Sequence, residues 1–497
     1  MSRYSCILIG IILIKTLAFG LYISQGYVGL GPDEAQYWTW SRHIDWGYYS
    51  KPPGIALQIA AGTAIFGDTE LGVRFGSLVL AACIPLTIYA LTFMGGLSRI
   101  IAFWAALAFA FSPLGMMSSL LAITDVGMAL SWVLAAYWMI RCLRQNAEVN
   151  YIIPGLLIAC GAIFKWPVYF FWTAVALGML FLPALRSRTV IYGFLISLLG
   201  LVPVLIWNIQ HDWVTFRHVG VTIAGGHGAE LGTTLLMKGN VLEFLGAQML
   251  LVSPILFILM LCGWVYVYRH RKVEIPLLLR WGALTSSAFV AAFTAAACLQ
   301  KIQGNWCVFA YLIVFPLIVW ISLKWARIGI IFSLLLCVLL LSVPFLQDNG
   351  IGLGLRWSPF KHNMGWGKLS PGLLQKGYNP AKDFLFGESY QTTSLLSFYG
   401  PEQKKAYFLN LEGARHNQFD IWPGMKEEQL GKTGYFVQVV YKSPEDCDIN
   451  KLKQLQEYFK KIECLGLYPL LSSEAKFIRI WRCEEYNGTI PLQNTKY

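Results

Sequence analysis

Charge is what this sequence has least of. Asp, Glu, Lys and Arg make up 13% of its 497 residues, about half of the roughly 25% found in soluble proteins. A water-facing surface cannot be covered at that density, so an ordinary soluble domain is excluded. Cysteine is also sparse: 11 residues spread over the chain do not make a small disulfide scaffold. No low-complexity tract and no fixed internal period occur, and an aromatic content of 15% excludes a disordered chain. Phosphate-loop and dinucleotide fingerprints are missing, as is a hydrolase serine elbow. The glycine cluster Gly350-Ile351-Gly352-Leu353-Gly354 follows an apolar segment, not a strand, and does not replace them.

Apolar residues fill the space that charge leaves. They are 56% of the chain, and the mean hydropathy is +0.54. About eleven segments are long enough to suggest spans, near 6–22, 72–94, 100–114, 117–140, 150–163, 166–184, 189–207, 241–268, 276–298, 304–322 and 326–346. The expectation is a polytopic α-helical membrane protein whose first segment is retained, not cleaved as a signal peptide. The net charge of +12 falls largely in short loops. That fits anionic lipid as the partner and not nucleic acid. Arg3, Arg99, Arg141, Arg144, Arg186, Arg188, Arg269, Arg271, Lys272, Arg280, Lys324 and Arg327 alternate onto one side. The positive-inside rule makes that side cytoplasmic, with the N-terminus.

Three regions then face outward: 23–71, 208–240 and 347–497. The division expected is a membrane domain over 1–346 and a linker plus soluble α/β domain over 347–497. In the latter, Lys405–Leu411, Gly434–Tyr441 and Ala475–Trp481 read as strands and Ile449–Ile462 as a helix, from the spacing of Leu452, Leu455, Phe459 and Ile462. Of its three cysteines, Cys464 and Cys483 are the expected disulfide, with Cys447 left over.

Chemistry-bearing residues cluster in the outer regions. Asp33 and Glu34 follow Pro32 and read either as the cap and first turn of a helix or as carboxylates at the mouth of a cavity. Tyr37 and Tyr48 belong to an aromatic stretch that suits membrane anchoring or sugar stacking. Lys51, before two prolines, is a snorkelling interfacial lysine or a point charge for a lipid phosphate. Asp125 and Arg74 lie at the edges of apolar segments, where a charge is costly. They either pair with each other or serve a polar cavity. Asn208, His211, Arg217, His218, His227 and Glu230 populate the second region, and Asn305 with Trp306 forms a polar turn on the same side. The histidine spacings match no zinc pattern. Gly225–Gly228 suits a loop lid.

The stretch Asp33-Glu34-Ala35-Gln36-Tyr37-Trp38-Thr39-Trp40-Ser41, then Gly47-Tyr48-Tyr49-Ser50-Lys51-Pro52-Pro53 and Gly67-Asp68-Thr69-Glu70-Leu71-Gly72-Val73-Arg74, resembles bacterial members of the protein O-mannosyltransferase-like superfamily, lipid A aminoarabinose transferases among them. Ile123-Thr124-Asp125, Trp207-Asn208, His211-Asp212-Trp213, Gly304-Asn305-Trp306 and Phe419–Pro423 carry the resemblance further. It implies a membrane glycosyltransferase of GT-C type with about eleven transmembrane helices, using a polyprenyl-phosphate sugar. Asp33 and Asp125 are its implied catalytic residues. Lys51, with Arg74 and Arg217, is implied to bind the donor phosphate. Glu34, Tyr37, Tyr48, Asn208, His211, Asn305 and Trp306 are implied to line the cavity. The expected reaction is an inverting transfer from undecaprenyl phosphate to a cell-envelope lipid or glycan on the periplasmic side of a bacterial inner membrane. Protein O-glycosylation, transport of a lipid-linked sugar and a non-catalytic assembly role are the alternatives. The aminoarabinose enzymes carry Glu immediately before the lysine, where this chain has Ser50. That departure leaves a divalent metal conceivable and unassigned.

Overall fold

The computed structural model describes residues 2–223, 239–270, 272–351, 355, 358–441 and 447–491. Apolar helices come first in the chain. In order they are α1 (Arg3–Ser24), α2 (Pro32–Ser41), α3 (Gly54–Phe66), α4 (Glu70–Met94), α5 (Arg99–Ala110), α6 (Pro113–Leu120) and α7 (Thr124–Arg144). Next are α8 (Ile152–Ala162), α9 (Phe170–Phe181), α10 (Thr189–Ser197), α11 (Val202–Gln210) and α12 (Val214–Ile223). Then come α13 (Val241–Val252), α14 (Pro254–Arg269), α15 (Leu277–Leu299), α16 (Phe315–Ile321) and α17 (Leu323–Asp348).

Among the described residues, six helices are long and apolar enough to cross a membrane, or nine if each bent pair is one span. The protein is therefore multi-pass, but a count of eleven does not follow from helix length. Helices α8 and α9, at 11 and 12 residues, rise only about 16–18 Å against a ~30 Å hydrocarbon core. Nor is 117–140 one segment. Helix α6 starts at Pro113, capped by Ser112, and bends 57° from α5. The chain is then non-helical at Leu121–Ile123, where the Ala122 amide donates to Glu34 Oε1 at 2.8 Å. That bond replaces one the helix would have made, as a backbone break inside a membrane protein requires. A 100° bend separates α13 from α14 at Ser253, and a 66° bend splits 304–322.

Beyond α17 the chain builds a five-stranded mixed sheet. Its strands are β1 (Phe384–Gly387), β2 (Tyr407–Phe408), β3 (Gly434–Tyr441), β4 (Phe459–Pro469) and β5 (Lys476–Tyr486), in spatial order β2-β1-β3-β5-β4. The strand β1 is parallel to β2 and β3, whereas β5 runs antiparallel to β3 and β4. The helix expected over 449–462 stops at Leu455, and Phe459 and Ile462 belong to β4. The pairing expected of Cys464 with Cys483 is also wrong: Cys464 is bonded to Cys447. Register explains the miss, because Cys464 lies opposite Trp481 while Cys483 lies opposite Ile462 and is buried.

Helix α2 joins the two parts. Leu30, Ala35, Trp38 and Trp40 share one apolar core with Trp366, Leu395, Phe398 and Ile478. The Trp38 ring meets Phe398 edge-on at 5.0 Å, and the Leu30 amide donates to Tyr399 Oη at 2.6 Å. The face that carries the first outer region is thus the face on which the sheet sits.

Candidate active site

Pro32 at the first turn of α2 presets the helical φ. The capping task falls to Glu34, whose Oε2 accepts from the Gly31 amide at 2.8 Å. Glu34 also takes Arg74 Nε at 2.8 Å, Arg74 Nη2 at 2.7 Å and the Ala122 amide at 2.8 Å. Arg74 is fully buried, and its Nη1 and Nη2 also donate to the carbonyls of Val28 (2.7 Å) and Gly29 (2.8 Å). Glu34 and Arg74 therefore form a closed bolt. Arg74 has no exposed donor for a lipid phosphate, and it pairs with Glu34, not with Asp125.

The bolt leaves Asp33 without structural duty. Among the described residues no hydrogen bond is made to its carboxylate, which opens onto a cleft of about 620 Å³ between α2, Ile123, Asn363 and the Tyr390–Leu395 stretch. The Asp33 side chain is exposed to that cleft, whereas Glu34 beside it is buried. Desolvation by the protein around the cleft raises the carboxyl above its usual value, opposed by the nearby charges of Lys51 and Arg415.

Lys51 is positioned by its neighbours. The Tyr48 amide donates to the Lys51 carbonyl at 3.1 Å, and the Gly54 amide donates to the Ile163 carbonyl at 2.9 Å. A side chain at Gly54 would run into that carbonyl, so the close approach needs glycine. It draws the Lys51 loop against the α8–α9 turn, where Lys165 lies. Lys165 Nζ donates to both oxygens of Asp125, at 2.8 and 2.9 Å. Burial, then Lys165, holds the Lys51 ammonium below the usual lysine value, while Asp33 and Asp125 act the other way. Among the described residues Lys51 makes no ion pair. Tyr37, buried one helical turn after Asp33, feels both Asp33 and Asp125. Burial raises its phenol far enough to keep it protonated.

Asp33, Lys51, Asp125 and Tyr37 are thus brought together, and Lys165, His218, Tyr390 and Arg415 join them. Lys165 is the one charge in Phe164-Lys165-Trp166-Pro167, between two apolar segments, and that is its signal in the sequence. Nothing local marked Tyr390 or Arg415, which come from the sheet domain.

Other expected site residues lie elsewhere. Tyr48 is fully buried, stacked on Trp40 at 4.6 Å, with its hydroxyl donating to the Trp40 carbonyl at 3.0 Å. Asn208 is a buried clamp between the Val204 carbonyl and Thr215. His211 stacks on Trp207 at 4.1 Å and borders a separate groove with His416 and Asp420. Arg217 is exposed on α12, whereas His218 beside it is buried. Asn305 and Trp306 begin a 3-10 turn and border none of the clefts described. Among the described residues no group of three His, Cys, Asp or Glu is arranged for a metal. His227, Glu230 and the lid expected at Gly225–Gly228 lie outside the described residues.

Residues 50–207 match the family model described as dolichyl-phosphate-mannose-protein mannosyltransferase. A lipid A galacturonosyltransferase, RgtD of Rhizobium johnstonii, is 35% identical over 302 residues, which are 59% of this chain and 61% of that protein. The match thus spans less than two thirds of the relative's length. Two solved structures of ArnT from Cupriavidus metallidurans share the architecture. The apo form superposes with a TM-score of 0.56 at 12% identity, over 96% of this chain and 97% of that one. The form bound to undecaprenyl phosphate gives 0.58 at 11% identity, over 96% and 97%. The chain has the GT-C fold of these structures, and within it residues 50–207 are similar to the mannosyltransferase family model.

Proposed function

We propose that the protein is an inverting glycosyltransferase. It moves a sugar from a polyprenyl phosphate, undecaprenyl phosphate in a bacterium, to a cell-envelope lipid or glycan. The reaction would take place at the periplasmic face of the inner membrane. One observation carries the reading: among the described residues Asp33 accepts no hydrogen bond and Lys51 makes no ion pair, and the two lie near enough to act on each other's charge beside the Asp125–Lys165 pair. The name of the curated relative supports lipid A as the acceptor and makes a uronosyl donor the first to try.

The chemistry needs little more. The bond from the anomeric carbon to the phosphate oxygen breaks, and a bond to the acceptor oxygen forms on the opposite face. The leaving phosphate keeps the electron pair and is met by the Lys51 ammonium. Asp33 takes the acceptor's proton if the acceptor is a hydroxyl, or stabilises positive character at the anomeric carbon if it is a phosphate. Its raised pKa makes it a stronger base than an ordinary carboxylate. Asp125 holds Lys165 in place and keeps the field around Lys51 from becoming too positive.

Purified protein in lipid nanodiscs, given labelled polyprenyl-phosphate sugars and lipid A, should yield labelled lipid A. No transfer from any donor would sink the reading. Lys51→Ala should raise the donor KM by roughly 10–100-fold, the worth of one hydrogen bond to a charged group. Lys51→Arg should recover little of it, since the fork of a guanidinium needs a different geometry. Unchanged donor dependence in folded Lys51→Ala would remove Lys51 from the phosphate.

A further inference from the structure

Arg415 reaches the site from the sheet domain, on the loop between β2 and the 3-10 turn Gln418–Asp420. That loop is built rather than loose. Asn417 and Asp420 cap one another, through the Asn417 amide to Asp420 Oδ2 at 2.7 Å and the Phe419 amide to Asn417 Oδ1 at 2.9 Å. The Tyr49 amide donates to Gln418 Oε1 at 2.7 Å, which ties the loop to the segment bearing Lys51. Arg415 Nη1 lies 3.3 Å from the His218 ring nitrogens, and the His218 ring packs on Tyr49 at 5.0 Å. The guanidinium is also in hydrogen-bonding reach of Tyr390, which borders the cleft with Asp33.

Its hydrogen-bonding partners are an imidazole and a phenol, not a carboxylate. Among the described residues no carboxylate forms an ion pair with Arg415. The local charges are Asp33 and Asp125 against Lys51, Lys165 and Arg415, and the Asp125–Lys165 pair is closed. Two cations without an ion pair therefore converge where a polyprenyl-phosphate sugar carries one phosphodiester charge. Lys51 suffices for that phosphate. A half-buried guanidinium without an ion pair among the described residues carries a desolvation cost that a bound oxyanion would offset, and its planar fork suits a carboxylate bidentately.

We propose that Arg415 forms a carboxylate subsite for the transferred sugar, so that the sheet domain selects a uronosyl donor while Lys51 holds the phosphate. This rests on the donor reading above. The shared chemistry is recognition of an oxyanion, with two sources: the sugar's carboxylate or the donor phosphate. Three probes separate them. They are undecaprenyl-phosphate galacturonic acid, the same lipid bearing neutral galactose, and undecaprenyl phosphate alone, each measured by KM or by competition with the full chain in nanodiscs. Arg415→Gln should weaken the uronosyl donor about tenfold or more. The neutral donor and the bare phosphate should stay within about twofold, as a charge-specific contact to the sugar alone requires. Equal losses for all three probes would assign Arg415 to the phosphate and overturn the subsite, as would no loss for any. If Arg415→Gln does not fold, Arg415→Lys keeps the charge without the fork. It should lower the preference for uronosyl over neutral donor, and an unchanged preference overturns the proposal. Wild-type protein that neither transfers a sugar nor binds undecaprenyl phosphate would fail the donor reading itself. Wild-type transfer insensitive to Arg415 would fail the subsite alone.

Discussion

At the scale of single residues, two adjacent carboxylates do opposite work. Glu34 accepts four donors and is buried; Asp33 accepts none among the described residues. Asp33→Asn should therefore leave thermal unfolding close to wild type, since capping and the bolt belong to Glu34. Single-turnover transfer should fall by about 100-fold or more, within the roughly 10²–10⁴ range of general-base catalysis. The pH profile follows from the same charges. Asp33 works ionised and its pKa is raised, so activity is lost as pH falls through a value above the usual ~3.9. Lys51 works protonated and its pKa is lowered, so activity is lost as pH rises through a value below ~10.4. Both limbs of kcat/KM move toward neutrality. Near-wild-type turnover in Asp33→Asn, or an acid limb in the ordinary carboxylate range, would exclude Asp33. Arg74→Met should behave differently, leaving a buried carboxylate without its partner at a cost of about 3–5 kcal/mol. It should lower the unfolding temperature of the whole protein. A folded Arg74→Met that only raised donor KM would restore the phosphate role the structure denies it.

At the scale of elements, legibility followed periodicity. Long apolar runs such as α1, α4 and α17 were plain because their hydropathy needs no partner to explain it. Breaks were not: the interruption at Leu121–Ile123 depends on Glu34, 88 residues away. The strand β4 hid because Leu452, Leu455, Phe459 and Ile462 keep a helical spacing across the end of a helix and the start of a strand. In the site, Asp33, Lys51, Asp125 and Tyr37 were readable from residue type and resemblance. Lys165 shows in the sequence only as a charge between two apolar segments, and Tyr390, at a helix start, and Arg415, in a loop, carry no sequence signal. Tyr48 and Asn208 misled because a buried clamp and a ligand contact use the same side chains. The disulfide offers a check at this scale. Peptide mapping without reductant should link Cys447 to Cys464 and leave Cys483 unlinked. Replacing both bonded cysteines by serine should cost about 3 kcal/mol of stability for a loop of 17 residues, while Cys483→Ser should leave the link intact. A Cys464–Cys483 peptide would refute the register.

At the scale of the whole molecule, the candidate site residues gather on one face. The Asp33 helix packs on the sheet domain through Trp38 and Phe398. Gln403 Nε2 donates to the Asp68 carbonyl at 2.9 Å, and Tyr399 Oη lies 3.0 Å from Glu70. The α8–α9 turn reaches the same face, because Lys165 there pairs with Asp125. Nine spans, with each bent pair counted once, or eleven if α8 and α9 also cross, would put the segment after α17 opposite the N-terminus, whereas the six unbroken helices alone would not. Arg99, Arg141, Arg144, Arg186, Arg188, Arg269, Lys324 and Arg327 lie at the other helix ends, where the positive-inside rule requires cytoplasm. A reporter active only after export, fused after Tyr497, should therefore be active. One inserted at Gln145–Asn146, between α7 and α8, should be silent. A cysteine placed at exposed Trp46 should react with a membrane-impermeant thiol reagent from outside, and one placed at exposed Lys324 should not. If the Tyr497 reporter worked only in the cytoplasm, the site would face a compartment supplied with nucleotide sugars. The need for a lipid-carried donor would then disappear, and the role assigned to Lys51 with it.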